Sequence, residues 1–495
     1  MIVGRFREVR EHGKRIPANH LPIKLNLIKH MRSLRLSISF LAAAMLVATF
    51  SSTSSAMPNF ARKYNLGCSA CHTVVPCLNE FGFKFRSAGY RLPEEIGKDS
   101  KIPFNLGDYL AGRIQVNAEH IAQTKTTSSP TASATTLNQN DIQFFEVTLY
   151  PLTGSITKNI SSLVELSNSP EDVWEIENAF VRYNWGEEEN YWSVKAGIFH
   201  PFEGYGAFDR PLGLSRPIFQ GGAPPKTSNA ANNTSSADFS TEFQPWGFDQ
   251  VGVELGWSYK NTFLRGTIFN GIYADSVDDG RGWIGQPAQG GLLIKPNRNK
   301  FSDMFGGTFD LQFTVTQLLT DDGGGISGYF YRGQNEMPAE RDSLGNMKFY
   351  PNNFLRYAIY ASYPIQKALL LGGYQSGTDA SWDTKNHVIG DNFNSSGYFL
   401  EGRYMPFDQF GFGARYDYFE PSTTFVFKDK NGNASTTGLT AQNAITAFVN
   451  YAFGDGFQLI GEYKDKFTKK GIFSDGTTKP DQNDNSVTIR MIWIQ

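Results

Sequence analysis

Three things are nearly missing from this 495-residue chain. Cysteine comes to three residues, so a meaningful spacing between two of them is not an accident of abundance. Charge of one sign is missing too: 46 Lys and Arg stand against 48 Asp and Glu, a formal net charge of -2. That balance implies neither nucleic acid nor an acidic surface as partner. Long apolar runs are absent apart from Ile38–Phe50, ISFLAAAMLVATF. A run that short cannot span a bilayer as a helix, and a mean hydropathy of -0.36 is polar for a helical membrane protein.

The apolar run instead fits the core of a secretory signal peptide. Arg32 and Arg35 precede it, and Ser54-Ser55-Ala56 follows as a small-residue cleavage site. The mature chain is then expected to start at Met57. Met31 opens such a signal in the ordinary way, which leaves residues 1–30 as an extension that need not be translated. The competing reading, a buried helix core, does not explain the flanking pattern. Export across the inner membrane of a double-membraned bacterium is the expectation.

Two of the three cysteines lie in Cys68-Ser69-Ala70-Cys71-His72. This C-x-x-C-H spacing is the attachment signature of a c-type haem. Two thiols bond the vinyl groups on one porphyrin edge, and the next residue then offers its imidazole to the iron, whose potential the axial ligands tune. Other readings compete. A zinc site of Cys68, Cys71, His72 and Cys77 would need adjacent Cys71 and His72 to ligate one tetrahedral ion. A thioredoxin-like redox pair would need a βαβ context that the surrounding pattern lacks. Haem c, one per chain on Cys68 and Cys71 with His72 as proximal ligand, is the expectation.

Downstream, Pro76 can open a helix, Leu78, Phe81, Phe85 and Ala88 recur at helical spacing, and Gly89 can close it. That stripe would cover a haem face or serve as ordinary core. Cys77 reads as a small buried hydrophobe. For the sixth ligand, residues 57–105 offer only Met57. His120, His200 and His387 lie in later segments, and an open position is equally allowed.

From about residue 106 the pattern changes to alternation in runs of about ten, the length of a tilted membrane-spanning strand. In Gln250–Tyr259, residues Val251, Val253, Leu255, Trp257 and Tyr259 point one way, and Gln250, Gly252, Glu254, Gly256 and Ser258 the other. Tyr398, Leu400, Gly402 and Tyr404 oppose Glu401 and Arg403. Phe457, Leu459, Gly461 and Tyr463 oppose Gln458, Glu462 and Lys464. Aromatics at 14% and 49 Gly suit such strands. Alternation alone also fits a soluble sandwich. Two further observations separate the cases. Tight turns at 363–367, 405–409 and 454–456 alternate with long polar stretches at 378–394, 420–442 and 468–484. The chain also ends on an alternating strand, with Val487, Ile489, Met491 and Trp493 against Thr488 and Arg490. The expected strands fall near 108–118, 141–150, 160–168, 175–184, 191–199, 248–259, 262–271, 303–313, 325–333, 354–363, 368–377, 396–405, 410–419, 444–453, 457–467 and 486–494, about sixteen in all. The fold class is therefore mainly β, an antiparallel outer-membrane barrel with a small N-terminal helical haem segment. The domains are 1–56, extension and signal peptide; 57–105, haem segment; and 106–495, barrel. The longest connection, 200–247, carries the low-complexity run 227–236 and is either a constriction folded inward or a surface loop. Asp209 and Arg210 within it read as a local ion pair.

The stretch Met57-Pro58-Asn59-Phe60-Ala61-Arg62-Lys63-Tyr64 through Cys68–His72, then Leu78-Asn79-Glu80-Phe81-Gly82 and Ala88-Gly89-Tyr90, resembles the N-terminal region of monohaem cytochrome–porin fusions. That group includes the outer-membrane iron oxidases of iron-oxidising bacteria. The resemblance is specific over about residues 57–92 and architectural for the rest. It implies a haem lodged in or under the barrel, passing electrons across the outer membrane between an extracellular donor or acceptor, such as Fe(II), and a periplasmic electron-transfer protein. Cys68, Cys71 and His72 carry over; Cys77 departs from the polar residue expected there. No residues for iron oxidation are matched, so the resemblance implies an electron carrier and leaves a metal (Fe(II)) oxidase activity open. The lumen carboxylates Glu254, Glu401 and Glu462 could draw cations or pair with Arg403, Arg415 and Lys464. The rival expectation is a solute-selective porin whose haem-bearing segment is a plug or sensor. A third is a soluble periplasmic cytochrome with a β-sandwich.

Overall fold

The computed structural model describes residues 58–74, 77–99, 105–125, 135–168, 174–199, 212–218, 250–270, 272–276, 292–296, 310–321, 324–341, 347–383, 388–407, 409–420, 426–428, 434–436, 441–453, 456–468 and 482–494. The expected signal peptide, Met57, Pro76, the expected Asp209–Arg210 pair, residues 227–236, His200 and His387 lie outside them.

Sixteen strands pair antiparallel with their chain neighbours and close into a barrel. They are β1 Ala111–Lys125, β2 Thr135–Ser155, β3 Ile160–Asn168, β4 Glu175–Glu187, β5 Asn190–Phe199, β6 Gln250–Tyr259, β7 Thr262–Phe269 and β8 Asp310–Leu318. The second half is β9 Gly325–Arg341, β10 Met347–Ile365, β11 Ala368–Asp383, β12 Val388–Phe407, β13 Phe410–Glu420, β14 Gln442–Ala452, β15 Phe457–Thr468 and β16 Gln482–Ile494. The seam is β16 against β1, from Asp484 opposite Gln123 to Ile494 opposite Arg113. Closure leaves no open edge, which a bilayer would not tolerate.

The alternation decides which way each side chain points. On β6, Gln250, Glu254 and Ser258 are buried, while Val253, Leu255 and Tyr259 are exposed. On β12, Glu401 and Arg403 are buried, and Tyr398, Leu400 and Tyr404 are exposed. The pattern is inverted relative to a soluble protein: charges face in, and Val, Leu, Ile, Tyr, Trp and Phe face out. Such outward faces suit lipid, where a midplane Arg or Lys would cost about 2–4 kcal/mol. The soluble-sandwich reading is overturned, because a sandwich hides its apolar face. Short connections, 156–159, 188–189, 260–261 and 366–367, gather with the end of β16 at one rim. That is the periplasmic rim in bacterial barrels.

Several boundaries differ from the sequence reading. The eighth strand is Asp310–Leu318 and not 303–313, because the turn beyond Leu318 sets where the hairpin ends: Leu319 and Thr320 both donate to the Gly324 carbonyl. The first strand begins at Ala111; Leu106–Tyr109 is a 3-10 turn capped by Asn105, whose side chain accepts from Gly107 N. The expected loop at 378–394 is mostly strand, since β11 runs to Asp383 and β12 starts at Val388. The long connection 200–249 does fold inward over its described part, residues 212–218, where Leu212 and Ile218 are buried.

The N-terminal segment packs on inward-facing residues of the barrel wall, near the rim of short connections. Helix α1, Pro58–Tyr64, anchors on β2: Asn59 Nδ2 donates to Thr153 O (3.2 Å), and Lys63 Nζ to Ser155 O (2.8 Å). Helix α2 is Glu80–Ser87. It starts one residue after Asn79, not at Pro76, because Asn79 is the stronger cap: its side chain accepts from Gly82 N at 2.8 Å. Cys77 and Leu78 belong instead to a short ribbon with His72–Val74. At the other end Gly89 has φ +79, and Tyr90 N donates to Phe85 O while Gly89 N donates to Arg86 O. That Schellman pattern explains the glycine.

Candidate functional site

The motif occupies the link between the two helices. Cys68 opens a 3-10 turn, Cys68–Ala70, and His72 begins the ribbon strand. Gly67 and Ser69 are exposed, while Ala70, Cys71 and His72 are half-buried. One residue ties the link to α2. Besides capping the helix, Asn79 donates through Nδ2 to Ala70 O (3.1 Å) and Ser69 O (3.3 Å), and its backbone N–H bonds Cys71 O (2.9 Å). Gly82 completes the join, since a Cβ there would collide with the Cys71 carbonyl. The link is thus held in shape by its backbone and keeps an accessible surface. A C-x-x-C-H donor set on such a loop fits covalent attachment of a haem.

The aromatic stripe is rearranged from its expected form. Phe85 is buried, with Phe60 edge-on to it (5.3 Å) and Tyr64 likewise (5.5 Å), and Phe60 stacks on Tyr90 (5.2 Å). Leu78 and Phe81 are only half-buried. The deepest ring is Phe83, which meets Phe263 of β7 edge-on at 4.8 Å, beside Leu318. Phe83 reaches the barrel wall besides meeting Arg86 of its own segment, a role that helical spacing within the segment could not show.

The barrel supplies cations to the end of α2. Arg182 of β4 donates through Nη1 to Arg86 O (2.9 Å) and Ser87 O (3.2 Å), and Arg265 of β7 donates to Ser87 Oγ (2.9 Å). Positive charge at helix C-terminal carbonyls is favourable. Arg182 also lies 3.8 Å from Glu254, which pairs with Lys195 at 3.1 Å. Glu254 therefore pairs within the wall, though with β4 and β5 partners. Glu401 pairs with Arg403 and with Arg415 (3.5 Å), as expected, and Arg415 also bonds Asp417 (2.8 Å). Glu462 instead accepts backbone N–H groups of Leu214 (2.6 Å) and Ser215 (2.9 Å). The two-residue alternation of β4, Phe180, Arg182 and Asn184 inward, was the signal that could have found Arg182.

Lys63 is buried against the Tyr109 ring (4.6 Å) and bonds its hydroxyl (3.3 Å). Burial pushes its ammonium down to about 8, with Glu95 and Asp108 opposing and Arg91 adding to the shift.

Cys77 is 1% exposed, as a small core residue would be, yet its neighbours are mixed. Leu212 and Phe448 pack on it, and Arg403 Nη1 donates to its sulfur at 2.7 Å. His120 is exposed and paired with Asn140 (2.7 Å), in the part of β1 remote from the periplasmic rim, so it is not brought to His72. Among the described residues, no group of three or more His, Cys, Asp or Glu side chains is disposed to hold a metal ion.

No family model matches the chain, and no curated protein matches it. Among solved structures it is similar to OmpT, an outer membrane protein of Vibrio cholerae, at 10% identity over 78% of this chain and 97% of that one, with a TM-score of 0.43. It is similar to the outer membrane channel DcaP of Acinetobacter baumannii at 12% identity, over 78% and 96%, TM-score 0.43. It is also similar to an anion-selective porin from Comamonas acidovorans at 10% identity, over 78% and 98%, TM-score 0.43. The likeness is of strand arrangement alone. The chain is a closed sixteen-strand antiparallel barrel whose apolar exterior suits the lipid of an outer membrane.

Proposed function

We propose that this protein is an outer-membrane electron conduit. Its lumen segment carries one haem c on Cys68 and Cys71, with His72 to the iron, between an extracellular one-electron donor such as Fe(II) and a periplasmic electron-transfer protein. The observation that carries the reading is an attachment motif on a segment packed within the barrel. A bilayer blocks electron transfer over its full thickness, and a redox group stationed inside a barrel shortens the gap. When bound, a haem supplies a one-electron couple whose potential the protein tunes through axial ligation and surroundings. The chain's own part is to place and hold it. Asn79 and Gly82 set the motif's backbone, Phe83 and Arg182 seat α2 on the wall, and Lys63 seats α1. Met57 remains the proposed candidate for the sixth position.

A second reading, a solute-selective porin with this segment as plug or sensor, draws on the barrel itself. The barrel supports a channel more directly than it supports a haem. Conductance in planar bilayers separates the two: a blocked barrel favours the conduit, an open solute-selective one the porin. A redox-titrated absorption spectrum of the purified full chain tests the haem. The expected result is a c-type spectrum that is lost in Cys71→Ala; a spectrum without haem bands from cells able to mature c-type cytochromes refutes it.

A further inference from the structure

The described part of the outer connection, residues 212–218, runs down the lumen wall opposite the one that holds α1 and α2. Its outer end, Ile218, belongs to the buried cluster that includes Phe419 and Ala444, near the ends of β13 and β14 that lie away from the rim of short connections. Its inner end, Leu212, sits beside Gly411, where a Cβ would come within 2.8 Å of it, at the periplasmic start of β13. The wall grips the backbone of this segment. Arg415 Nη1 donates to Ser215 O (2.8 Å) and its Nη2 to Arg216 O (2.9 Å). Glu462 accepts from Leu214 N and Ser215 N (2.6 and 2.9 Å), and Asn450 Nδ2 donates to Leu212 O (3.0 Å). Arg415 and Asn450 are fully buried, and Arg415 is oriented by Asp417 and Glu401. Gly213 passes where only glycine fits: a Cβ would lie 2.6 Å from Glu462 Oε2 and 3.1 Å from Phe448. Grips on main-chain atoms from three strands specify a conformation.

The two inserted segments meet at one point. Leu212 and Cys77 share one buried cluster with Phe448, and Arg403 reaches the Cys77 sulfur. We propose that Leu212–Ile218 is a strap that holds the N-terminal segment in the lumen from the outer side, so that the two together close the barrel. Displacing Leu212–Ile218 from the wall is then felt at Cys77, beside the candidate haem segment. The proposal rests on that segment being seated in the lumen and not on the haem, so its failure leaves the absorption spectrum untouched.

Cys77 is a built-in reporter. The full chain, folded in detergent, is treated with N-ethylmaleimide, and labelling at Cys77 is followed by peptide mass mapping. Unheated gel mobility reports the intact barrel. Glu462→Ala removes two hydrogen bonds to a carboxylate, and Gly213→Val wedges the strap off the wall. Each is expected to raise the Cys77 labelling rate by about a hundredfold, the effect of losing two such bonds on a local opening equilibrium. Either variant alone suffices if the other does not assemble. Unchanged labelling in a folded variant overturns the strap. So does labelling of the unsubstituted protein at the rate of the urea-unfolded chain, a result that needs no variant to assemble.

Discussion

Arg182→Met tests how the plug is seated. The substitution keeps an unbranched apolar stem of similar length, so the Phe180 ring retains a neighbour, and it removes the guanidinium. Two hydrogen bonds to the terminal carbonyls of α2 go with it, at 2.9 and 3.2 Å. Bonds from a charged donor contribute about 1.5–3 kcal/mol each, and leaving carbonyls buried adds to the loss. One term opposes. Glu254 loses a cationic neighbour at 3.8 Å but keeps Lys195 at 3.1 Å, so the wall stays neutralised. The low end of the range, about 3 kcal/mol, raises the opening equilibrium of α2 about a hundredfold. Hydrogen–deuterium exchange of the 83–90 amides reads this directly, with the β13–β15 amides as an internal reference. Arg265→Met, which loses one hydrogen bond to α2, at Ser87 Oγ, and a contact with the Phe83 ring, should have a smaller effect. An α2 exchange rate in Arg182→Met within about threefold of the unsubstituted protein would refute the seating argument.

Phe83→Ala leaves a void beside Phe263 and Leu318 and should weaken seating by about 3–5 kcal/mol, seen as faster protease cleavage within 58–99 while the barrel resists. Asn79→Ala should cost about 1 kcal/mol at the start of α2, with faster exchange at the Gly82 amide and little change at Tyr90. Lys63 gives a pH dependence. Its folded value, about 8, is below the ordinary 10.5, so between those values the unfolded segment binds more protons. Seating of α1 should therefore strengthen as pH rises through that window and stay at its weaker level below pH 8. Exchange in residues 58–64, corrected for the intrinsic rate, should slow from pH 7 to 9.5, and a Lys63→Met variant should lose that slope.

Much of the barrel was legible because a strand's side chains alternate and a bilayer rewards only one alternation. Glu254, Glu401 and Glu462 could be assigned to the lumen from neighbours two residues away, and each is buried. Boundaries were less legible. The eighth strand was placed too early because apolar residues continue on both sides of Asp310, and only pairing with β7 and β9 decides where the ladder starts. The start of α2 was misplaced because proline and asparagine are both start signals, and here the asparagine side chain also bonds the motif's carbonyls.

The sequence alone determined the inverted pattern and the C-x-x-C-H spacing, because these depend on residue order over a few positions. Only the tertiary structure decided what fills the lumen. Phe83 against Phe263, Arg182 on the carbonyls of α2, and Leu212 on Cys77 join residues far apart in the chain. No local period encodes such contacts. They exist because a closed barrel of this width leaves an interior that two segments, entering from opposite rims, can occupy.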